Sequence, residues 1–270
     1  MRIKVPASIA NLGPGFDCMA MAIDLWLEVE AGEADKPTWD YEGEGADYLY
    51  AHENPFTRLM MKGRVRSEIP MGVGLGSSAA ARLAASALSS PWDVKSHVVN
   101  AGKREGHIDN VAAAASGGIR IVSEHVDEKL PNPGWGIAVF VSHQPVPTEK
   151  ARAVLPDSVP MGDASFNAAR TALLVRAIIS KRPSLLGEAL RDRLHQPHRL
   201  QLYPWTEEVM MVAEAAGAYG AAMCGAGPSV FAFCAPSQAP RIARAMEESH
   251  PLRGRALVTR ISDKGMFRTL

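Results

Sequence analysis

The run Gly72-Val73-Gly74-Leu75-Gly76-Ser77-Ser78 places three alternate glycines directly before an alanine-rich stretch. Glycine lets a backbone turn tightly and approach a ligand without interference from a Cβ atom. Ser77 and Ser78 then open a helix, where unpaired N–H groups and the positive dipole end favour an anion. The run has no Gly-Lys-Ser/Thr ending and does not fit Gly-x-Gly-x-x-Gly, so it matches neither common nucleotide signature. Two readings stay open: a phosphate cradle, or a flexible loop with a serine N-cap.

A second cluster, Glu105-Gly106-His107-Ile108-Asp109-Asn110, gathers two carboxylates, an imidazole and an amide. It could hold a divalent cation and orient a hydroxyl. Asp109 and Asn110 could equally cap the helix that follows, and on spacing alone capping is the stronger reading. Gly225-Ala226-Gly227-Pro228-Ser229 precedes an apolar strand and fits an ordinary turn. In His195-Gln196-Pro197-His198-Arg199 the spacing hints at metal, but Pro197 opposes a helical ligand pair and no third ligand accompanies it, so zinc is not expected. Arg199 is either a surface arginine or a fixed guanidinium for a carboxylate or phosphate. There is no Gly-x-Ser-x-Gly elbow and no basic run interleaved with aromatics, which leaves serine hydrolases of that class and nucleic-acid binders without support.

These residues need elements to position them. Arg2 to Ala7 reads as a strand ending in the turn Asn11–Gly15, and Ala20 to Ala31 as a second strand. Gly32 to Asp47 reads as a hairpin or loop, and Asn54 to Lys62 as a short helix. Arg64 to Pro70 forms a strand feeding the glycine loop, and Ala79 to Leu88 is strongly helix-forming. Trp92 to Glu105 and Asn110 to Ser116 look helical, while Ile119 to Ser123 and Gly136 to Ser142 read as strands. Beyond a joint at Pro145 and Pro147, helices are predicted at Thr148 to Val154, Asp163 to Ser180, Ser184 to Leu194 and Glu207 to Gly217. Strands Val230 to Cys234 and Ala256 to Ile261 flank a helix at Ala239 to Glu248. Strict βαβ alternation is lacking, so the pattern is α+β, with domains expected at 1–145 and 146–270.

A chain of 270 residues with 47% hydrophobic and 21% charged residues can bury a substantial core. The 29 basic and 29 acidic residues cancel, so no general affinity for a phosphate backbone is expected. The amino-terminal residues have no apolar core of a secretory signal, and the longest apolar stretches are broken short of a membrane span. Three cysteines without metal-type spacing suit a reducing cytoplasm.

The order and identity of the motifs add more than any one of them. Pro6-Ala7-Ser8-Ile9-Ala10-Asn11-Leu12-Gly13-Pro14-Gly15-Phe16-Asp17 resembles the opening motif of homoserine kinases. Those enzymes belong to the superfamily of galactokinase, homoserine kinase, mevalonate kinase and phosphomevalonate kinase. Ile69 to Ala80 is similar to its second, phosphate-binding motif and Cys224 to Phe231 to its third. Glu105 to Ala112, Thr148 to Pro156 and Leu194 to Arg199 resemble segments of homoserine kinases in particular, so the resemblance runs nearly end to end.

The resemblance implies a two-domain α+β small-molecule kinase fold with a left-handed β-α-β crossover, with ATP and Mg²⁺ as co-substrate and cofactor. It places Ser78 and Glu105 as metal ligands. Pro70, Gly72, Gly74, Leu75, Gly76, Ser77, Ser78 and Ala79 fall in the triphosphate loop, and Asn54 on the adenine side. Asn11, Asp17, His107, Asn110, Arg152, Arg199 and Gly227 fall on the side of L-homoserine. Arg152 and Arg199 would grip the substrate carboxylate and Asp17 its amino group, with Asn110 orienting the hydroxyl. Mevalonate-type relatives have an aspartate base where this chain has Asn110, and an amide accepts no proton at neutral pH. Positioning and the metal are then expected to carry catalysis, with Asp109 or Asp17 as base the rival.

The expected activity is phosphorylation of L-homoserine in threonine biosynthesis, by a cytoplasmic enzyme for which the family suggests a homodimer. A kinase of another small alcohol is one alternative. A non-catalytic descendant that binds nucleotide or amino acid is the other, motivated by short segments before the second motif and before Glu105.

Overall fold

Strand β1 (Arg2–Ala10) is apolar at nearly every position from Val5 onward, and those residues are buried on both faces of a sheet. The computed structural model describes residues 1–269. β1 lies beside β2 (Met19–Glu33), a strand of 15 residues long enough to take several partners. Along its other edge, β2 pairs antiparallel with β4 (Met61–Ser67) through Leu27–Glu33 and with β5 (Ile119–Val122) through Met19–Met21. β3 (Thr38–Gly43) extends the sheet beside β4, β6 (Asp127–Leu130) pairs with β5, and β11 (Phe267–Thr269) closes the edge at β1, giving seven strands. The β1–β2 register shifts between Pro6 and Ala7, next to the one residue that has no N–H to donate to the ladder.

The face of this sheet is covered by α2 (Ser77–Ser89) and α4 (Asp109–Ser116), with α3 (Val94–Glu105) packed on both. Alanines let helices and sheet approach closely: Ala79, Ala80, Ala84, Ala112, Ala113 and Ala114 are all buried.

A second sheet has the order β10 (Gly254–Arg260), β7 (Gly136–Ser142), β9 (Val230–Cys234), β8 (Gly220–Met223), all antiparallel. The period of two in β9 joins two cores. Phe231 and Phe233 point into the large cluster shared with the first sheet, while Val230, Ala232 and Cys234 face α9 (Trp205–Ala215) and α10 (Ala239–Ser249). This is a mixed α and β architecture in two parts. The sheets do not divide along the chain at the Pro-rich joint: β7 precedes residue 145 yet belongs to the second sheet, and β11 follows it yet belongs to the first.

Several predicted elements differ. Asn54 to Lys62 is a turn followed by the start of β4 rather than a helix. Asn54 Oδ1 accepts from Phe56 N at 3.0 Å and Thr57 Oγ1 donates to Asn54 O at 2.9 Å, local bonds that compete with helix formation. The predicted loop of Gly32 to Asp47 contains β3, whose alternate residues Trp39 and Tyr41 are buried. Helix α1 (Ala46–Ala51) then returns the chain so that β3 and β4 run parallel. After α6 (Met161–Ser180), the helix expected from Ser184 to Leu194 is reduced to a 3₁₀ turn and one turn of α7 (Leu186–Ala189). Asp192 ends it by accepting from the amides of Leu194, His195 and Gln196, which start α8 (Gln196–Arg199) instead. Strands β6, β8 and β11 are short additions that the sequence pattern does not announce. None of the helices among the described residues is long and apolar enough to cross a membrane.

Candidate active site

The glycine loop leaves β4 and enters α2 with a backbone that other residues could not follow. Gly74 has φ +89° and Gly76 φ +71°. A Cβ on Gly74 would lie 2.0 Å from the carbonyl oxygen of Cys224, and one on Gly76 would lie 2.1 Å from Ser8 Oγ. The loop is therefore pressed against the first and third motifs, with backbone on backbone. Gly76 caps α2 without any side-chain hydrogen bond, and Ser77 is the first helical residue. The serine-cap reading fails on this point, and the first-turn residues Ser77, Ser78 and Ala79 line an open cleft. Amides at a helix N-terminus without a side-chain acceptor suit an anion.

Glu105 ends α3, because Gly106 turns into the left-handed region at φ +79°. A carboxylate there faces the negative end of the helix dipole and needs compensation. It receives it from Arg82, whose Nε lies 2.6 Å from Glu105 Oε1, and from Ser78 Oγ, which donates to the same oxygen at 2.5 Å. Among the described residues no group of three or more His, Cys, Asp or Glu could hold a metal by itself. Ser78 and Glu105 supply two neighbouring oxygens beside the helix end. That donor set fits Mg²⁺, which commonly takes one or two protein oxygens and fills its shell with phosphates and water.

Opposite lies the first motif, in strained backbone. Asn11, Leu12 and Asp17 have φ of 70°, 47° and 54° without being glycine, a conformation that persists only where surroundings enforce it. Asn11 Oδ1 accepts from Asp17 N at 3.1 Å, and Asn11 Nδ2 donates to Gly225 O at 3.0 Å, tying the first motif to the third. Arg152, on α5 (Thr148–Ala153), donates to both oxygens of Asp17 at 2.6 and 3.0 Å. The Asp17 pairing raises the affinity of Arg152 for its proton.

Arg199 is not a surface residue: it is 1% exposed. Its Nε donates to Ala151 O at 3.2 Å, and its Nη1 reaches Gly225 O and His195 Nδ1, both at 2.9 Å. His195 Nε2 donates to Gly13 O at 2.7 Å, which leaves Nδ1 as acceptor and the ring neutral. Burial drives the His195 pKa down to about 4. A neutral imidazole can thus orient a buried guanidinium that remains charged. Tyr203 Oη, pushed up to about 12 by burial, donates to Ala226 O and braces the third motif.

Asp109 begins α4 and is buried; its Oδ1 accepts from Asn110 N at 2.7 Å and lies 3.0 Å from His107 Nδ1. That hydrogen bond, above all, raises the pKa of His107. The N-cap of α4 is Ile108, which makes no side-chain bond, so neither Asp109 nor Asn110 is the N-cap that spacing suggests, although Asp109 satisfies the first-turn amide of Asn110.

One cleft gathers Asn11, Asp17, Gly72, Gly74, Gly76, Ser77, Ser78, Ala79, Glu105, His107, Asn110, Arg152, Arg199 and Gly227. Three of the expected site residues do not line it. Leu75 is buried in the core and Pro70 is buried as well. Asn54 is engaged in its own turn, its Nδ2 donating to Tyr41 Oη at 2.9 Å and Leu49 O at 3.0 Å. The cleft adds Ala10, Asp109, Val146, Thr148, Gly225 and Ala226. Of the side chains behind its walls, Ser8 falls within the first motif, whereas nothing in the spacing of Arg82 or Tyr203 marks them out.

Family models agree with this arrangement. Residues 46–118 match the N-terminal domain of GHMP kinases and residues 174–252 their C-terminal domain. A homoserine kinase of Thermus thermophilus is 39% identical, covering 97% of this chain and 96% of that protein. A homoserine kinase of Caldanaerobacter subterraneus is 36% identical, covering 94% and 89%. The crystal structure of homoserine kinase from Cytophaga hutchinsonii superposes with a TM-score of 0.85 at 25% identity, covering 99% of this chain and 96% of that one. With one cleft shared by its motifs and this likeness over nearly its whole length, the chain belongs to the homoserine kinase family of GHMP kinases.

Proposed function

We propose that this chain transfers the γ-phosphoryl group of ATP to the side-chain hydroxyl of L-homoserine, releasing ADP and O-phospho-L-homoserine, as a cytoplasmic step of threonine biosynthesis. One observation carries the reading. The uncapped start of α2 and a set of opposite charges (Asp17, Arg152, Arg199) line a single cleft. The first suits a polyphosphate and the second a zwitterion.

The amides of Ser77, Ser78 and Ala79 receive phosphate oxygens, a load heavier than usual because the loop has no lysine. Ser78 and Glu105 would hold Mg²⁺, which when bound neutralises charge on the phosphates. Arg152 and Arg199 take the substrate carboxylate, and Asp17 takes its ammonium. His107, Asn11 and Gly227 complete the pocket wall. Asn110 positions the hydroxyl. In the transfer, the bond from the γ-phosphorus to the bridging oxygen of ADP breaks as the hydroxyl oxygen bonds to phosphorus. The hydroxyl proton leaves late, to solvent or to a phosphate oxygen. Asp109 Oδ1 is engaged by Asn110 N and lies against His107, which leaves Oδ2 as the one oxygen through which the rival base could act.

A mevalonate-type reading is disfavoured by the same charges, since a substrate without an ammonium would leave Asp17 uncompensated. ADP release measured with L-homoserine, with mevalonate and with no acceptor separates the readings. Turnover with homoserine alone is expected. Tight ATP binding without turnover of any alcohol would overturn the proposal in favour of a binding module.

A further inference from the structure

We propose that Ser8 is a positioning residue that decides which edge of the Asn110 amide faces the acceptor hydroxyl. Ser8 lies in β1 with no exposed surface, so it cannot touch substrate. Its Oγ donates to Asn110 Oδ1 at 2.9 Å. The amide oxygen is thereby turned toward the protein, and the Nδ2 amino group is the edge left for the cleft that Asn110 lines. An amino group only donates. It can hold a lone pair of the attacking oxygen, and it leaves the hydroxyl hydrogen for another acceptor.

The same serine touches the phosphate loop. Ser8 N donates to Leu75 O at 3.2 Å, and Gly76 packs so closely that a Cβ there would fall 2.1 Å from Ser8 Oγ. One buried residue thus links the loop that receives the donor phosphate to the amide that receives the acceptor oxygen. With the amide turned over, the buried Ser8 hydroxyl could accept from Nδ2, but its own hydrogen would then lack any acceptor among the described residues, so the flip with the oxygen toward Ser8 is favoured.

This inference rests on the proposed homoserine kinase activity. It is tested by steady-state kinetics on Ser8→Ala, Asn110→Ala and the double variant, with nucleotide affinity and thermal melts measured for each. In Ser8→Ala, kcat is expected to fall about 3- to 10-fold while the homoserine KM and the nucleotide affinity stay within about 2-fold. In the Asn110→Ala background the same change should cost nothing further, because the amide it orients is gone. If Ser8→Ala does not fold, Ser8→Cys, close in size and a weak donor, takes its place in the cycle with the same expected non-additivity. Equal losses in both backgrounds, or losses confined to KM or nucleotide affinity, would overturn the role. A wild-type chain inert toward homoserine would defeat the underlying reading instead, a result distinct from an active wild type with additive losses.

Discussion

The Asp17 carboxylate and the Arg152 guanidinium meet through two hydrogen bonds, 2.6 and 3.0 Å long, although 135 residues separate them in the chain. Each is the counter-charge that the other would exchange for an end of a zwitterionic substrate. A ligand with both an ammonium and a carboxylate re-satisfies both groups, whereas one with a single charge strands a partner.

Replacing Asp17 by Asn should therefore damage binding more than folding. Both side chains are about a third exposed, at 36% and 37%, and such pairs contribute about 0–1 kcal/mol to stability. The homoserine KM is expected to rise about 10- to 100-fold, the range for losing a hydrogen bond to a charged group. Kinetics alongside a thermal melt would check this, and an unchanged KM would remove Asp17 from the pocket.

Glu105→Gln should alter the response to metal. The carboxamide keeps the shape but loses the charge that suits Mg²⁺, so half-saturating Mg²⁺ should rise at least about 10-fold in ADP-release assays. Metal dependence identical to wild type would assign the Ser78–Glu105 pair to structure alone.

Gly74→Ala tests the close approach of the loop to the third motif. The substituent would meet the Cys224 carbonyl at 2.0 Å and be held at φ +89°. A loss of about 2–3 kcal/mol is expected from the forced conformation, more if the loop cannot shift. Denaturant midpoints report it, and a midpoint equal to wild type would mean that the loop relaxes freely.

The buried His195 should make the protein sensitive to acid. In the unfolded chain a histidine takes up its proton near pH 6.5, about the ordinary value, but in the fold burial delays it to about 4. Between those values the unfolded state binds the extra proton. Stability is thus complete above about pH 6.5, falls as pH drops, and stops falling on this account below about pH 4. The slope from this one proton reaches at most about 1.4 kcal/mol per pH unit. Denaturant melts across that window should show it, and His195→Gln should flatten it; an equal slope in the variant would assign it to other groups.

Much of the site is legible in the sequence because its motifs are local. The alternate glycines before an alanine run, and Glu105 five positions before Asn110, announce themselves in a few consecutive residues, and backbone geometry at such places tolerates few alternatives. The strands β1, β2, β7 and β9 are likewise legible through their apolar runs. The region from Asn54 to Lys62 is not, because its composition allows a helix while the Asn54 side chain closes a turn. Asn54, expected on the adenine side, is held in that turn and does not line the cleft.

Sequence alone determined the glycine loop before α2, the list of charges and the family likeness, since those depend on residue types and short spacings. Tertiary structure alone decided that Asp17 faces Arg152, that Arg199 is buried against a neutral His195, and that Ser8 bonds Asn110 while packing against Gly76 of the loop. Those relationships join positions four to more than a hundred residues apart. They arise from packing two sheets around shared cores, where burial sets which charges must pair and which edge of an amide is left free.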